Sequence, residues 1–270
     1  MRVASIQLEI PTDEAKEARV ERAARLVEAQ AGADLVVLPE IWNVGYFSFD
    51  AYAAQAEALD GPTVSRMADA ARATGAWVLA GSIVERAGDL LHNTAVLLDR
   101  GGNIAATYRK IHLFGYGSRE PEVLTRGREI TVAETELGRF GISTCYDLRF
   151  PELYRAMLDA GAEAFLVPSA WPHPRVEAWM LLNRVRALEN QCWLISANCT
   201  GGPGAGYCGR SAVVDPWGTA IAAAGVPAAV VTAEVDRDLV HRARRQFRQL
   251  DDRVLGREGA GGTGGTEVAP

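Results

Sequence analysis

The run Asp34-Leu35-Val36-Val37-Leu38-Pro39-Glu40 constrains the fold of this chain most, because it is continuously apolar and ends on a carboxylate. A strand without a polar face is buried on both sides, in the interior of a sheet that other layers cover. Residues 77–84, 164–169 and 192–198 repeat that character. Between these runs the apolar period turns helical. Val20, Ala23, Ala24, Val27 and Ala31 share one face, Thr12 with Asp13 and Glu14 reads as the cap and acidic first turn of their helix, and Gly32 closes it. Further helices are expected at 61–74, 153–160 and 176–190, with a last amphipathic one reaching about residue 250. Strands are expected at 3–8, 93–99, 104–108, 140–144, 211–214 and 229–235, and the Gly88-Asp89 turn joins the run 77–84 to the strand 93–99. Strand and helix alternate, so the class is α/β, with helices covering one or more sheets.

No linker or compositional break divides the 270 residues, so the expectation is one domain over 1–255 and a disordered glycine-rich tail over 256–270. A formal charge of −6 argues against a nucleic-acid surface, and the basic run at 241–245 suits the C-terminal end of a helix. No apolar run is long enough to span a bilayer, which excludes a membrane partner. Four irregularly spaced cysteines and no signal-peptide pattern point to free thiols in a reducing cytoplasm. Cys192 reads as core, and Cys199 and Cys208 as incidental thiols rather than a disulfide. The four histidines form no metal-ligand pattern, so no metal is expected.

Three polar residues sit where buried strands end: Glu40, Lys110 and Cys145. Taken alone, Glu40 could cap a helix, Lys110 could be a solvated loop residue, and Cys145 could be core. Strand ends of α/β sheets gather at one edge, however, where ligand sites lie. Cys145 also stands between a strand and Pro151, which suits the first turn of a helix. A thiol at such a corner has backbone N–H groups beside it, as a nucleophile requires. The aperiodic stretch 111–128, long for a structureless loop, is expected to do something. The glycine-rich loop 200–206 lacks the pattern of a phosphate cradle.

Leu38-Pro39-Glu40, Tyr108-Arg109-Lys110-Ile111-His112-Leu113-Phe114 and Cys145-Tyr146-Asp147-Leu148-Arg149-Phe150-Pro151-Glu152 resemble the three signature segments of the nitrilase, or carbon–nitrogen hydrolase, superfamily. Asn93-Thr94-Ala95, Arg186-Ala187-Leu188-Glu189-Asn190, Ser196-Ala197-Asn198 and Asp215-Pro216-Trp217-Gly218 extend the likeness over about residues 3–236. The resemblance implies a four-layer α-β-β-α sandwich, a Glu40-Lys110-Cys145 triad, no cofactor, and a homodimer or higher homo-oligomer paired through helices near the site. Glu40 would take the thiol proton of Cys145, hand it to the leaving amine and then activate water. Lys110 and the Tyr146 N–H would hold the oxyanion.

A second glutamate often matters in this family. Counting back from Leu124-Thr125-Arg126-Gly127 places it at Glu120, with Glu122 the competitor. Tyr46, Tyr146, Arg149, Ala170 and Trp171 occupy positions that resemble the family's substrate-lining places. The word Tyr146 to Glu152 is similar to the omega-amidase and deaminated-glutathione amidase branch. It implies hydrolysis of a small linear carboxamide to acid and ammonia, with Arg149 set to pair a substrate carboxylate. Residues 42–47 and 115–120 depart from that branch, which leaves the acyl group open. Rival readings are a nitrilase, an N-carbamoyl amidohydrolase, an amide-forming acyltransferase, or a non-catalytic binding subunit.

Overall fold

The computed structural model describes residues 1–255, and the tail expected at 256–270 lies outside them. Two six-stranded sheets face each other. The first is ordered β15-β1-β3-β4-β5-β6, from β1 (Arg2–Gln7), β3 (Leu35–Val37), β4 (Trp77–Ala87), β5 (Leu90–Leu98), β6 (Ile104–Arg109) and β15 (Ala229–Glu234). The second is ordered β14-β13-β10-β9-β8-β7, from β7 (Thr131–Thr135), β8 (Gly138–Ile142), β9 (Ala164–Ser169), β10 (Trp193–Asn198), β13 (Ala212–Val214) and β14 (Ala220–Ala223). In each sheet three central strands run parallel and the outer pairings are antiparallel. Short strands β2 (Glu9–Ile10), β11 (Thr200–Gly201) and β12 (Tyr207–Cys208) form a separate ribbon.

The period of two in the central strands sorts the core into layers. Leu35 and Val37 point between the sheets, where they join Val3, Leu79, Leu166 and Ile195. Val36 and Leu38 point outward, under Val20, Ala23, Ala24 and Val27 of α1 (Lys16–Glu28) and Met67 and Ala71 of α3 (Pro62–Thr74). On the far side, Tyr154 and Met157 of α5 (Pro151–Asp159) and Trp179 and Ala187 of α6 (Val176–Asn190) cover the second sheet. The result is an α-β-β-α sandwich, and the unbroken apolar run at 35–38 is the consequence of being covered twice. Short helices α2 (Tyr52–Gln55) and α4 (Glu120–Val123) and the terminal α7 (Asp238–Gln246) complete the described chain.

Some expectations fail for local reasons. Thr12 does not cap the first helix. That helix starts at Lys16 after Ala15, with no side-chain cap, and the Glu14 carboxylate of the expected first turn accepts instead from Arg19 and Arg22 at 3.1 and 2.8 Å. It also ends at Glu28, short of Gly32. The 111–128 loop contains one helical turn, α4, and the stretch expected as a loop at 200–206 begins with β11, which pairs with β12 just beyond it. Cys192 is buried and all four cysteines are free thiols.

Candidate active site

The ends of three strands meet at one edge of the sandwich. Past β3, the Glu40 N–H donates to the Ser169 carbonyl at the end of β9 in the other sheet, 3.4 Å away. Ile41 then turns back with φ +38°, a genuine outlier for a β-branched residue. Its N–H donates to the Ser82 hydroxyl. Gly81 allows this crossing: a Cβ there would lie 1.8 Å from the Pro39 carbonyl oxygen. Lys110 follows β6, and its carbonyl accepts from the Gly127 N–H at 2.8 Å. A Cβ on Gly127 would collide with the Arg109 carbonyl. Cys145 opens a 3-10 turn past β8 and has φ +48°. Strained backbone of this kind persists where surrounding contacts over-determine it.

Asp147 supplies many of those contacts. It is fully buried and accepts from the Thr144 N–H (2.9 Å), the Tyr108 hydroxyl (2.7 Å) and the His112 N–H (3.0 Å), so it ties the cysteine turn to the segment that carries Lys110.

Glu40, Lys110 and Glu120 form a cluster whose side chains are 0% exposed. The Lys110 ammonium lies 2.8 Å from Glu40 Oε1 and 3.0 Å from both oxygens of Glu120. Asn93 Nδ2 donates to Glu40 at 2.7 Å and to Glu120 at 3.1 Å. The remaining acceptors are met by the Ala170 N–H on Glu40 Oε2 (2.9 Å) and by the Phe114 N–H (2.6 Å) and Tyr46 hydroxyl (3.1 Å) on Glu120 Oε2. Charges this deep survive because nearly every lone pair has a donor.

Burial raises the Glu40 carboxyl above its ordinary range, and the Glu120 charge adds to the rise while Lys110 opposes it. Burial works against the Lys110 charge, but the two carboxylates hold its ammonium well above the usual lysine value. The Cys145 thiol, which faces Glu40, Lys110 and the Ala170 N–H, is pushed well up by burial and by Glu40. A neutral thiol therefore rests beside a carboxylate of increased basicity. Its proton has to leave as the sulfur attacks.

Tyr46, Tyr146, Arg149, Ala170 and Trp171 line one pocket with Cys145, with about 320 Å³ of empty space including its mouth. Glu120 enters the cluster and Glu122 does not: its side chain is 67% exposed and pairs with Arg119. Several residues at the site were given no role by sequence reasoning, Phe114 among them. Asn93 had a usable signal, an asparagine inside an apolar strand. Asp147 had a weaker one, an acid two residues past the cysteine. Arg175 lines the pocket from a 3-10 turn at His173–Arg175 and had none.

The carbon–nitrogen hydrolase family model matches residues 2–245. The chain belongs to that family. Carbon–nitrogen hydrolases with curated functions include a 2-oxoglutaramate amidase of Paenarthrobacter nicotinovorans, 38% identical over 93% of this chain and 88% of that one. They also include a chloroplastic omega-amidase of Arabidopsis thaliana, 34% identical over 88% of this chain and 68% of the relative. Among solved structures, a family member from Xanthomonas campestris with an arsenic adduct in its active site superposes with a TM-score of 0.86. It is 31% identical and covers 93% of this chain and 96% of its own. The sandwich is thus of the nitrilase type, and the protein is a hydrolase of carbon–nitrogen bonds other than peptide bonds. Among the described residues no helix is long and apolar enough to cross a membrane.

Proposed function

We propose that the protein is an amidase that converts a small linear carboxamide carrying a distal carboxylate, of the 2-oxoglutaramate kind, to the acid and ammonia. The observation that carries this reading is the buried Glu40-Lys110-Glu120 cluster facing the Cys145 thiol on the floor of a pocket that also holds Arg149. Glu40 takes the thiol proton as Sγ bonds to the amide carbon, and Lys110 with the Tyr146 N–H stabilises the oxyanion. Glu40 then gives that proton to the nitrogen, the C–N bond breaks, and ammonia leaves a thioester on Cys145. Water attacks the thioester with Glu40 as base, the acid departs, and the proton returns to the sulfur. Glu120 holds Lys110 and does not touch the reacting atoms.

Residues 1–255 act as one catalytic domain in this reading, and four free cysteines fit a reducing cytoplasm. Met180, Leu181 and Leu188, exposed on α6, support pairing of two sandwiches through that helix. Ammonia release from 2-oxoglutaramate, glutaramate, a nitrile and an N-carbamoyl amine, each compared with Cys145→Ala, tests the assignment. Turnover confined to the nitrile or the carbamoyl amine, or a Cys145→Ala variant as fast as the parent, overturns it.

A further inference from the structure

The pocket in front of Cys145 has a second arginine that the reaction itself does not use. The Arg149 guanidinium lies over the Trp171 ring at 4.9 Å, and the Arg175 guanidinium lies over the Phe114 ring at the same distance. Trp171 links the two, because its Nε1–H donates to the Arg175 carbonyl at 2.8 Å. Phe114 in turn packs edge-on against Tyr146, with ring centroids 5.0 Å apart. Among the described residues neither guanidinium has a carboxylate partner, and none of the pocket-lining residues is acidic. A guanidinium held over an aromatic face by this contact uses no N–H donor on a counter-ion, and its donors remain able to match a carboxylate in two parallel hydrogen bonds. Two half-buried cations facing one pocket without a counter-ion also repel an ammonium group.

Resting on the amidase reading, we propose that Arg175 is a specificity-determining residue. With Arg149 it receives the anionic end of the acyl chain, so the site takes ω-amides of short dicarboxylic acids and rejects amides that also carry an α-ammonium. Phe114 and Trp171 hold the two arginines from separate loops, so the anionic end is gripped away from the sulfur while the amide reaches Cys145.

The test compares glutaramate, pentanamide and glutamine as substrates for the parent, Arg175→Gln and Arg175→Lys. The Arg175→Gln change is expected to raise KM for glutaramate about 10- to 100-fold with kcat held, and to leave pentanamide within about threefold. It should also narrow the preference for glutaramate over glutamine, and Arg175→Lys should recover part of the loss. An equal fall on pentanamide, or an unchanged KM for glutaramate, overturns the proposal. Calorimetric binding of glutarate to Cys145→Ala with and without Arg175→Gln reads the same contact without turnover. Glutarate affinity that depends on Arg175 in a protein releasing no ammonia from any amide sinks the amidase reading and keeps the anion contact. Affinity indifferent to Arg175 sinks the contact.

Discussion

The Glu40-Lys110-Glu120 cluster and the Arg149-Arg175 wall both adjoin Cys145, and they hold charge by opposite means. In the cluster two carboxylates and an ammonium are sealed from solvent and satisfied by one another, by Asn93 and by backbone N–H groups. In the wall two half-buried guanidiniums have aromatic faces beneath them and, among the described residues, no counter-ion. The first arrangement fixes the reacting groups in place. The second leaves donors open, and open donors are what a substrate can use. Chemistry and selection thereby differ in how their charges are held, although Cys145 and Arg149 share one 3-10 turn and Arg175 lies on another.

Removing one charge from each region breaks that contrast most directly. Lys110→Met strands two carboxylates in the interior and should cost about 3–5 kcal/mol of stability together with nearly all activity. Arg149→Met removes a cation with no ionic partner and should stay within about 1 kcal/mol by chemical denaturation, with the damage confined to substrate affinity. Equal destabilisation by the two changes would erase the distinction. A subtler cut separates neighbouring acids. Glu120→Gln keeps the shape but weakens the hold on Lys110, and kcat should fall roughly 100-fold. Glu122→Gln touches only a surface pair with Arg119 and should change kcat less than about twofold. Steady-state rates that rank the two variants the other way would move the second glutamate to Glu122.

The two regions also differ in how far the sequence reveals them. Leu35 to Leu38 reads as a doubly covered strand, so Glu40 at its end was visible, and the buried end of β8 did the same for Cys145. β6, expected as a buried strand, is instead a largely exposed edge strand, so Lys110 was legible through its flanking residues and not through burial. Ala164–Ser169 and Val176–Asn190 agree with their expected limits because a two-sided apolar strand and a 15-residue helix leave little latitude. Thr131–Thr135 and Ala220–Ala223 escaped notice because both are edge strands, paired on one side only, and neither needs a continuous apolar run. Arg175 escaped for a different reason. A three-residue turn has no period, and nothing local in His173-Pro174-Arg175 says which wall it will face.

Acid–base behaviour sharpens the comparison from the side of the cluster. The working form of Glu40 is the carboxylate, and burial lifts its pKa above the ordinary glutamate range. Hence kcat/KM should rise with pH through an acid limb displaced upward from that range, by about tenfold per pH unit at its steepest. The sign for stability is opposite. A raised folded value makes the Glu40 contribution complete below the unfolded pKa, and it is lost as pH rises through the folded one. The thiol also titrates high, so the absorbance difference at 240 nm between the parent and Cys145→Ala should show no thiolate at neutral pH. A thiolate signal at pH 7 would require an ion-pair mechanism in place of proton removal during attack.

The smallest expected effect probes the bracket inside the wall. Trp171→Phe keeps an aromatic face under Arg149 but deletes the Nε1–H that donates to the Arg175 carbonyl. One neutral hydrogen bond of this kind is worth about 1 kcal/mol net, so the loosened Arg175 turn should raise KM for glutaramate about three- to tenfold. Neither kcat nor the KM for pentanamide should move, because Cys145 and the cluster take no hydrogen bond from the indole. Trp171→Leu removes the ring as well and should weaken glutaramate further, since Arg149 then has no surface to lie on. If the phenylalanine and leucine variants are equally impaired, the indole N–H carries the effect. If only leucine is impaired, the stacking face alone orders the wall, and Arg175 is held by its own turn and by Phe114.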